Sequence, residues 1–295
     1  MANRPAAELE VTPALAVRLL AEQHPDLAGL PVRAVASGWD NALLRLGDDL
    51  ALRLPRREAA AHLVGHEQRW LPVLAPRLGV PVPVPVRVGV PSPLFPWAWS
   101  VVPWLVGEPA IAVAAAERRS IATALADVVV RLHVPAPGGA PANPFRGVPL
   151  AARDAGVRVR LAEGRVADAD RLARLWDELV ATPPWPGAPT WAHGDLHPAN
   201  LLIGADGALA AVLDFGDLTA GDPAVDLATG WLTFDAVGRR AFIDRVTATA
   251  GTSPDTWRRA RGWALVLALA FGANADDDPA FAALGARALR EVLAG

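Results

Sequence analysis

Two short segments of this chain gather oxygen donors at a spacing that suits phosphoryl transfer: His193-Gly194-Asp195-Leu196-His197-Pro198-Ala199-Asn200, then Leu213-Asp214-Phe215-Gly216-Asp217. That chemistry needs one carboxylate to orient and deprotonate an acceptor hydroxyl. It also needs an amide and a second carboxylate to hold Mg²⁺ against nucleotide phosphates. Asp195 suits the first role and Asn200 and Asp214 the second, in the order in which a kinase-type catalytic loop and metal loop present them. Singly, each has an ordinary explanation: a turn or cap Asp, a turn amide after Pro198, and a strand-end Asx turn. Jointly they favour catalysis.

His193 and His197 stand four residues apart, which on a helix would suggest zinc. Gly194 and Pro198 argue against a helix, no third ligand is evident, and the chain has no Cys, so the expected metal is a hard ion on oxygen ligands. His193 reads instead as a buttress of the loop through its ring nitrogens. Further on, Gly221-Asp222-Pro223-Ala224-Val225-Asp226 closes a turn and opens a helix, with Asp222 as its cap. Asp226 lies among apolar neighbours. It reads as an acceptor for catalytic-loop N–H groups or as a first-turn Asp favoured by the helix dipole.

The elements that must position these residues fall into two kinds. After a helix opened by Thr12-Pro13 come three short alternating segments, 32–36, 42–46 and 50–54, punctuated by turns. A helix over 58–78 follows, interrupted by Pro72. Pro81–Val86 reads as extended, and Trp99–Leu105 as a strand. Beyond about Val106 the pattern turns helical: 111–133, 150–181, 223–232, 236–250, 253–271 and 279–293, with a strand pair at 201–203 and 209–213. The expected fold is α+β with two lobes: residues 1–105, a small antiparallel sheet with one long helix, and 106–295, mostly helical and carrying the catalytic loop.

Within the first lobe, Arg53 stands on a mid-lobe strand where a cation would hold nucleotide phosphates, and Glu67 on the next helix could pair with it. Gly38, in Ser37–Asn41, would belong to a loop over the phosphates, or to a plain hairpin turn. Pro103 and Leu105 lie in a connector along which a purine ring would bind, although Pro103 offers no N–H. The net charge of −3 gives no case for nucleic acid. No signal segment is evident at the start, and the apolar run 263–272 is too short to span a membrane, so a cytoplasmic protein is expected.

These residues resemble the aminoglycoside phosphotransferase family, which has the two-lobed protein-kinase-like fold and includes macrolide kinases. Its specific parts are 193–200, 213–216 and 221–228; the looser ones are 38–41, Arg53 and Glu67. The resemblance implies ATP- or GTP-dependent, Mg²⁺-dependent phosphorylation of a hydroxyl on a small molecule. It makes Asp195 the base and Asn200 and Asp214 the metal ligands. The family usually carries Lys where this chain has Arg53, and the two are not interchangeable. Arg53-Leu54-Pro55-Arg56-Arg57 resembles a strand of the macrolide kinases, which leaves a macrolide and GTP open. A non-catalytic nucleotide-binding module is the alternative of another class. The acidic run Asp276, Asp277 and Asp278 would either bind a polycationic acceptor or form an exposed helix start. Trp231, Phe234, Trp257 and Trp263 would line an acceptor pocket or belong to the core.

Overall fold

The computed structural model describes residues 6–37, 39–273 and 278–295. It divides into two compact units, one holding Arg4–Val106 with Asp214–Gly216, the other Gly107–Leu213 with Asp217–Gly295.

The first unit opens with α1 (Pro13–Gln23), whose start is fixed by the Thr12 hydroxyl accepting the Leu15 N–H at 3.2 Å. Five antiparallel strands follow: β1 (Val32–Ser37), β2 (Asn41–Leu46), β3 (Leu50–Pro55), β4 (Arg87–Gly89) and β5 (Trp99–Pro103), in the order β1-β2-β3-β5-β4. Alternation on β2 buries Ala42, Leu44 and Leu46, which cluster with Leu52, Leu54, Trp99 and Val101 of the sheet and Leu19 and Leu20 of α1. The helix α2 (Glu58–Leu78) runs through both Pro72 and Pro76 rather than stopping at the first. Its buried stripe of Val64, Glu67, Leu71, Leu74 and Leu78 outweighs the lost backbone bonds. The segment 81–86 is not a strand: the Val84 N–H turns back to the Val82 carbonyl at 2.8 Å, and Val86 gives its N–H to Val101 just before β4 begins. There Gly89 is required, because a Cβ would fall 1.9 Å from the Trp99 ring.

The second unit begins with β6 (Glu108–Pro109), which pairs with β8 (Leu201–Ile203), itself paired with β9 (Leu209–Val212). A second small ladder joins β7 (Thr190–Ala192) to β10 (Thr219–Gly221). The helices are α3 (Ala122–Leu132), α4 (Asp154–Ala162), α5 (Ala169–Val180), α6 (Ala224–Leu227), α7 (Thr229–Thr233), α8 (Ala236–Ala250), α9 (Pro254–Ala273) and α10 (Pro279–Ala294). Three expected helices are shorter or broken. The first of them starts late, because Ala110 and Ile111 give their N–H groups to Leu201 and Pro198. The second breaks at 163–168, where Gly164 and Asp168 have φ of 72° and 55°. The third splits at Ala228 into α6 and α7.

Trp231, Phe234 and Trp263 are all buried core residues. Among the described residues no helix is long and apolar enough to cross a membrane.

Candidate active site

In the first unit, β3 and α2 bring Arg53, Glu67 and Asp214 together. Arg53 is buried, and its Nη1 donates to Glu67 Oε1 at 2.5 Å while its Nη2 donates to Asp214 Oδ1. With its amide turned so that the oxygen faces the guanidinium, Asn41 of the neighbouring strand accepts from Nε and Nη2 at 3.3 and 3.2 Å. A planar fork can serve these three acceptors at once, which a lysine ammonium cannot do in the same plane. Burial alone would weaken the Arg53 charge, but the Glu67 and Asp214 carboxylates outweigh it and raise its pKa. Burial pushes Glu67 up to about 7 against the pull of Arg53, and the charge on Asp214 adds to the rise. Asp214 itself adopts a left-handed conformation, φ 55°, and its Oδ1 also accepts the Gly216 N–H at 3.4 Å. Its side chain remains 55% exposed.

The connector offers little: Pro103 has no N–H, and the Trp104 N–H is spent on the Asp49 carbonyl at 2.7 Å. Pro103 ends β5 opposite Leu50, and Leu105 is half-buried beyond it. Gly38, Asp276 and Asp277 lie outside the described residues. Asp278 caps α10, accepting the Ala280 and Phe281 N–H groups at 3.1 and 3.3 Å, which is the helix-start role of that acidic run.

In the second unit the catalytic loop follows β7. Gly194 takes φ +86°, and a Cβ there would lie 2.4 Å from the Asp217 carbonyl, so only glycine fits. The loop hangs on Asp226, which is wholly buried. Its Oδ2 accepts the His193 N–H and its Oδ1 the Gly194 N–H, both at 2.8 Å, while His133 Nε2 adds a third bond at 3.0 Å. Asp222 also belongs to this framework. It accepts the Ala224 N–H at 3.0 Å and pairs with the buried Arg259 at 2.6 Å.

Both loop histidines are fixed by their neighbours. His193 Nδ1 accepts the Asp195 N–H at 3.2 Å, which assigns the proton to Nε2, a donor to the Leu213 carbonyl at 2.8 Å. By the same logic His197 Nδ1 accepts from Ala199, and its Nε2–H donates to Asp195 Oδ2 at 3.1 Å. The His197 ring is wedged against Phe271 of α9 and Phe281 of α10, with centroids at 5.0 and 5.5 Å.

Asp195 is thus held at both oxygens, because Arg146 Nη2 approaches Oδ1 at 3.2 Å. Burial works to raise its pKa, yet His197, electrostatically first and then through its hydrogen bond, with the Arg146 charge behind it, lowers the carboxyl below its ordinary value. Asn200 donates its amide N–H to the Asp195 carbonyl at 2.9 Å, which leaves the amide oxygen as the ligand atom. That is the donor a hard cation prefers. The ring nitrogens of His193 and His197 are all taken by hydrogen bonds within the loop and to Leu213. The amide oxygen of Asn200 in one unit and the exposed carboxylate of Asp214 in the other are each a hard oxygen donor of the type Mg²⁺ takes.

Arg146, Asn143 and Asp217 escape a reading of the sequence. Asn143 donates to Asp217 Oδ1 at 2.6 Å, and Arg146 spans Asp195 and Asp217, the latter at 3.5 Å. Asn143 and Arg146 sit in the Pro/Gly-rich stretch 135–149. Its one signal is Gly147, which has φ +65° and where a Cβ would lie 3.3 Å from the Gly221 Cα. On the far side of α4, a cavity of about 390 Å³ is bounded by Arg160, Arg165, Leu269, Ala282, Leu289 and Arg290, among others.

The family model described as the phosphotransferase enzyme family, APH, matches residues 31–263. Among solved structures, the GDP complex of wild-type aminoglycoside 2'-phosphotransferase-IIIa is similar at a TM-score of 0.71 and 20% identity, covering 96% of this chain and 99% of that one. The macrolide 2'-phosphotransferase MphH from Brachybacterium faecium, an apoenzyme, gives 0.63 at 25% identity, covering 93% and 97%. A streptomycin-ATP-APH(2")-IIa ternary complex gives 0.61 at 14% identity, covering 90% and 92%. A comparison with curated proteins gives no match.

Proposed function

The chain belongs to the phosphotransferase enzyme family, and from that premise we propose that it moves the terminal phosphoryl group of ATP or GTP to a hydroxyl of a small molecule. The observation that carries this reading is the placing of Asp195: one oxygen meets Arg146, the other meets His197, and the loop beneath it has its backbone tied to the buried Asp226. A carboxylate fixed in this way is suited to orienting the acceptor O–H and taking the proton late, which is what a loose phosphoryl-transfer transition state asks of it. Asn200 offers an amide oxygen and Asp214 an exposed carboxylate as the ligands of Mg²⁺, which when bound neutralises phosphate charge. Arg53, already shared between Glu67 and Asp214, serves as the cation for the nucleotide phosphates.

The solved relatives include complexes with GDP and with streptomycin and ATP, which supports a nucleotide co-substrate and a hydroxylated small acceptor for this chain as well. The test is a melting experiment with Mg-ATP and Mg-GTP, joined to transfer of labelled γ-phosphate to a panel of hydroxylated compounds. A rise in Tm with at least one nucleotide and label on an acceptor are the expected results. No rise with either nucleotide would remove the reading.

A further inference from the structure

Three arginines next to the catalytic loop have no conventional explanation. Arg146 pairs with Asp195 and Asp217, yet its buried Nε has no partner. Arg153 stands at the start of α4 with its guanidinium 5.6 Å from the ring of Phe145, the neighbour of Arg146. Its Nε is also buried and unpartnered, and Arg153 forms no hydrogen bond or ion pair among the described residues. Arg160 lies seven residues further along, two turns up the same face of α4, and among the described residues its side chain likewise makes no hydrogen bond or ion pair. Both are only half-exposed. Burial and repulsion within the cluster hold the pKa values of Arg153 and Arg160 below the usual arginine value, with only Glu163 easing Arg160. The nearby acids are otherwise engaged: Asp154 with Arg158 and Trp176, and Asp217 with Asn143.

Half-buried, mutually repelling cations with orphaned donors are costly unless an anion completes them. We infer that the acceptor carries an anionic group, a carboxylate or a phosphate ester, which docks on Arg146, Arg153 and Arg160 beside Asp195. The inference rests on the reading of Asp195 as the group that orients the acceptor. Arg146 then does two things: it steadies the Asp195 carboxylate and helps anchor the far end of the molecule whose hydroxyl that carboxylate receives. A polycation such as an aminoglycoside would meet Arg153 and Arg160, which no carboxylate pairs, and is disfavoured.

The experiment uses the full chain saturated with Mg-nucleotide, so that the phosphate site is filled, and melts it with sodium sulfate against sodium chloride at equal ionic strength. Sulfate is expected to raise Tm by about 3 °C beyond chloride. The Arg153→Gln/Arg160→Gln variant is expected to lose that excess. No excess in wild type, or an equal excess in both proteins, which would mark general salt exclusion, overturns the inference. In turnover, hydroxy acids should exceed their methyl esters by about 30-fold in kcat/KM, mostly through KM, and the variant should shrink that ratio to about threefold. Kanamycin outperforming every hydroxy acid would also overturn it. A nucleotide that fails to raise Tm sinks the kinase reading instead, and the sulfate comparison repeated without nucleotide still judges the arginine cluster by itself.

Discussion

Replacing Asp226 by Asn keeps the shape of a wholly buried side chain and changes only its hydrogen-bonding sense. The carboxylate takes N–H groups at both oxygens, from His193 and His133 on Oδ2 and from Gly194 on Oδ1. An amide has one acceptor oxygen. Whichever way it turns, an NH₂ faces the backbone N–H of His193 or of Gly194. A hydrogen bond to a charged group contributes about 1.5–3 kcal/mol, and an unsatisfied buried N–H costs about 1–3 kcal/mol, so the sum is about 3 kcal/mol after partial relaxation. Urea unfolding followed by Trp191 and Trp176 fluorescence should show that loss as a lower midpoint at unchanged slope. The same substitution loosens the backbone on which Asp195 stands, so kcat/KM should fall by about 10²-fold even where the protein is fully folded. A stability loss under about 0.5 kcal/mol, or unaltered turnover, would refute the claim that Asp226 carries the loop.

Two further outcomes follow from the same geometry. Glu67 is raised from 4.5 to about 7 in the folded state, so its contribution to stability is full below about 4.5 and is lost as pH rises through about 7. Wild type should therefore lose about 2 kcal/mol relative to Glu67→Gln between pH 5 and 8 in parallel denaturation series, and parallel curves would contradict this. Gly194→Ala should cost about 2–4 kcal/mol, through φ +86° and the 2.4 Å approach to Asp217, with refolding yield and Tm as readouts; a melting curve like wild type would show that the loop can shift.

What the sequence shows and hides has physical causes. Local signals are legible where the chain decides alone. Thr12-Pro13 caps α1 and the alternation of β2 faces inward, because a hydroxyl beside a free N–H and a period of two need no distant partner. The role of Asp226 is legible because a carboxylate among Val225, Leu227 and Ala228 must find donors. Long-range demands are not legible. The segment before α3 gives up a helix because Ala110 and Ile111 are drawn to the backbone of Leu201 and Pro198, ninety residues away in sequence. The ladders of β4, β7 and β10 have three residues each, too few to show a period. Arg146 is hidden for the same reason: nothing in a proline-rich stretch announces that one guanidinium will reach Asp195.

Asp195 is the residue on which transfer depends, and the deciding measurement is labelled phosphoryl transfer to the best acceptor by wild type and by Asp195→Ala, with nucleotide affinity determined on both. Loss of the base should lower kcat by about 10³-fold while nucleotide Kd stays within about threefold. Turnover by Asp195→Ala close to that of wild type would contradict the assignment at its centre.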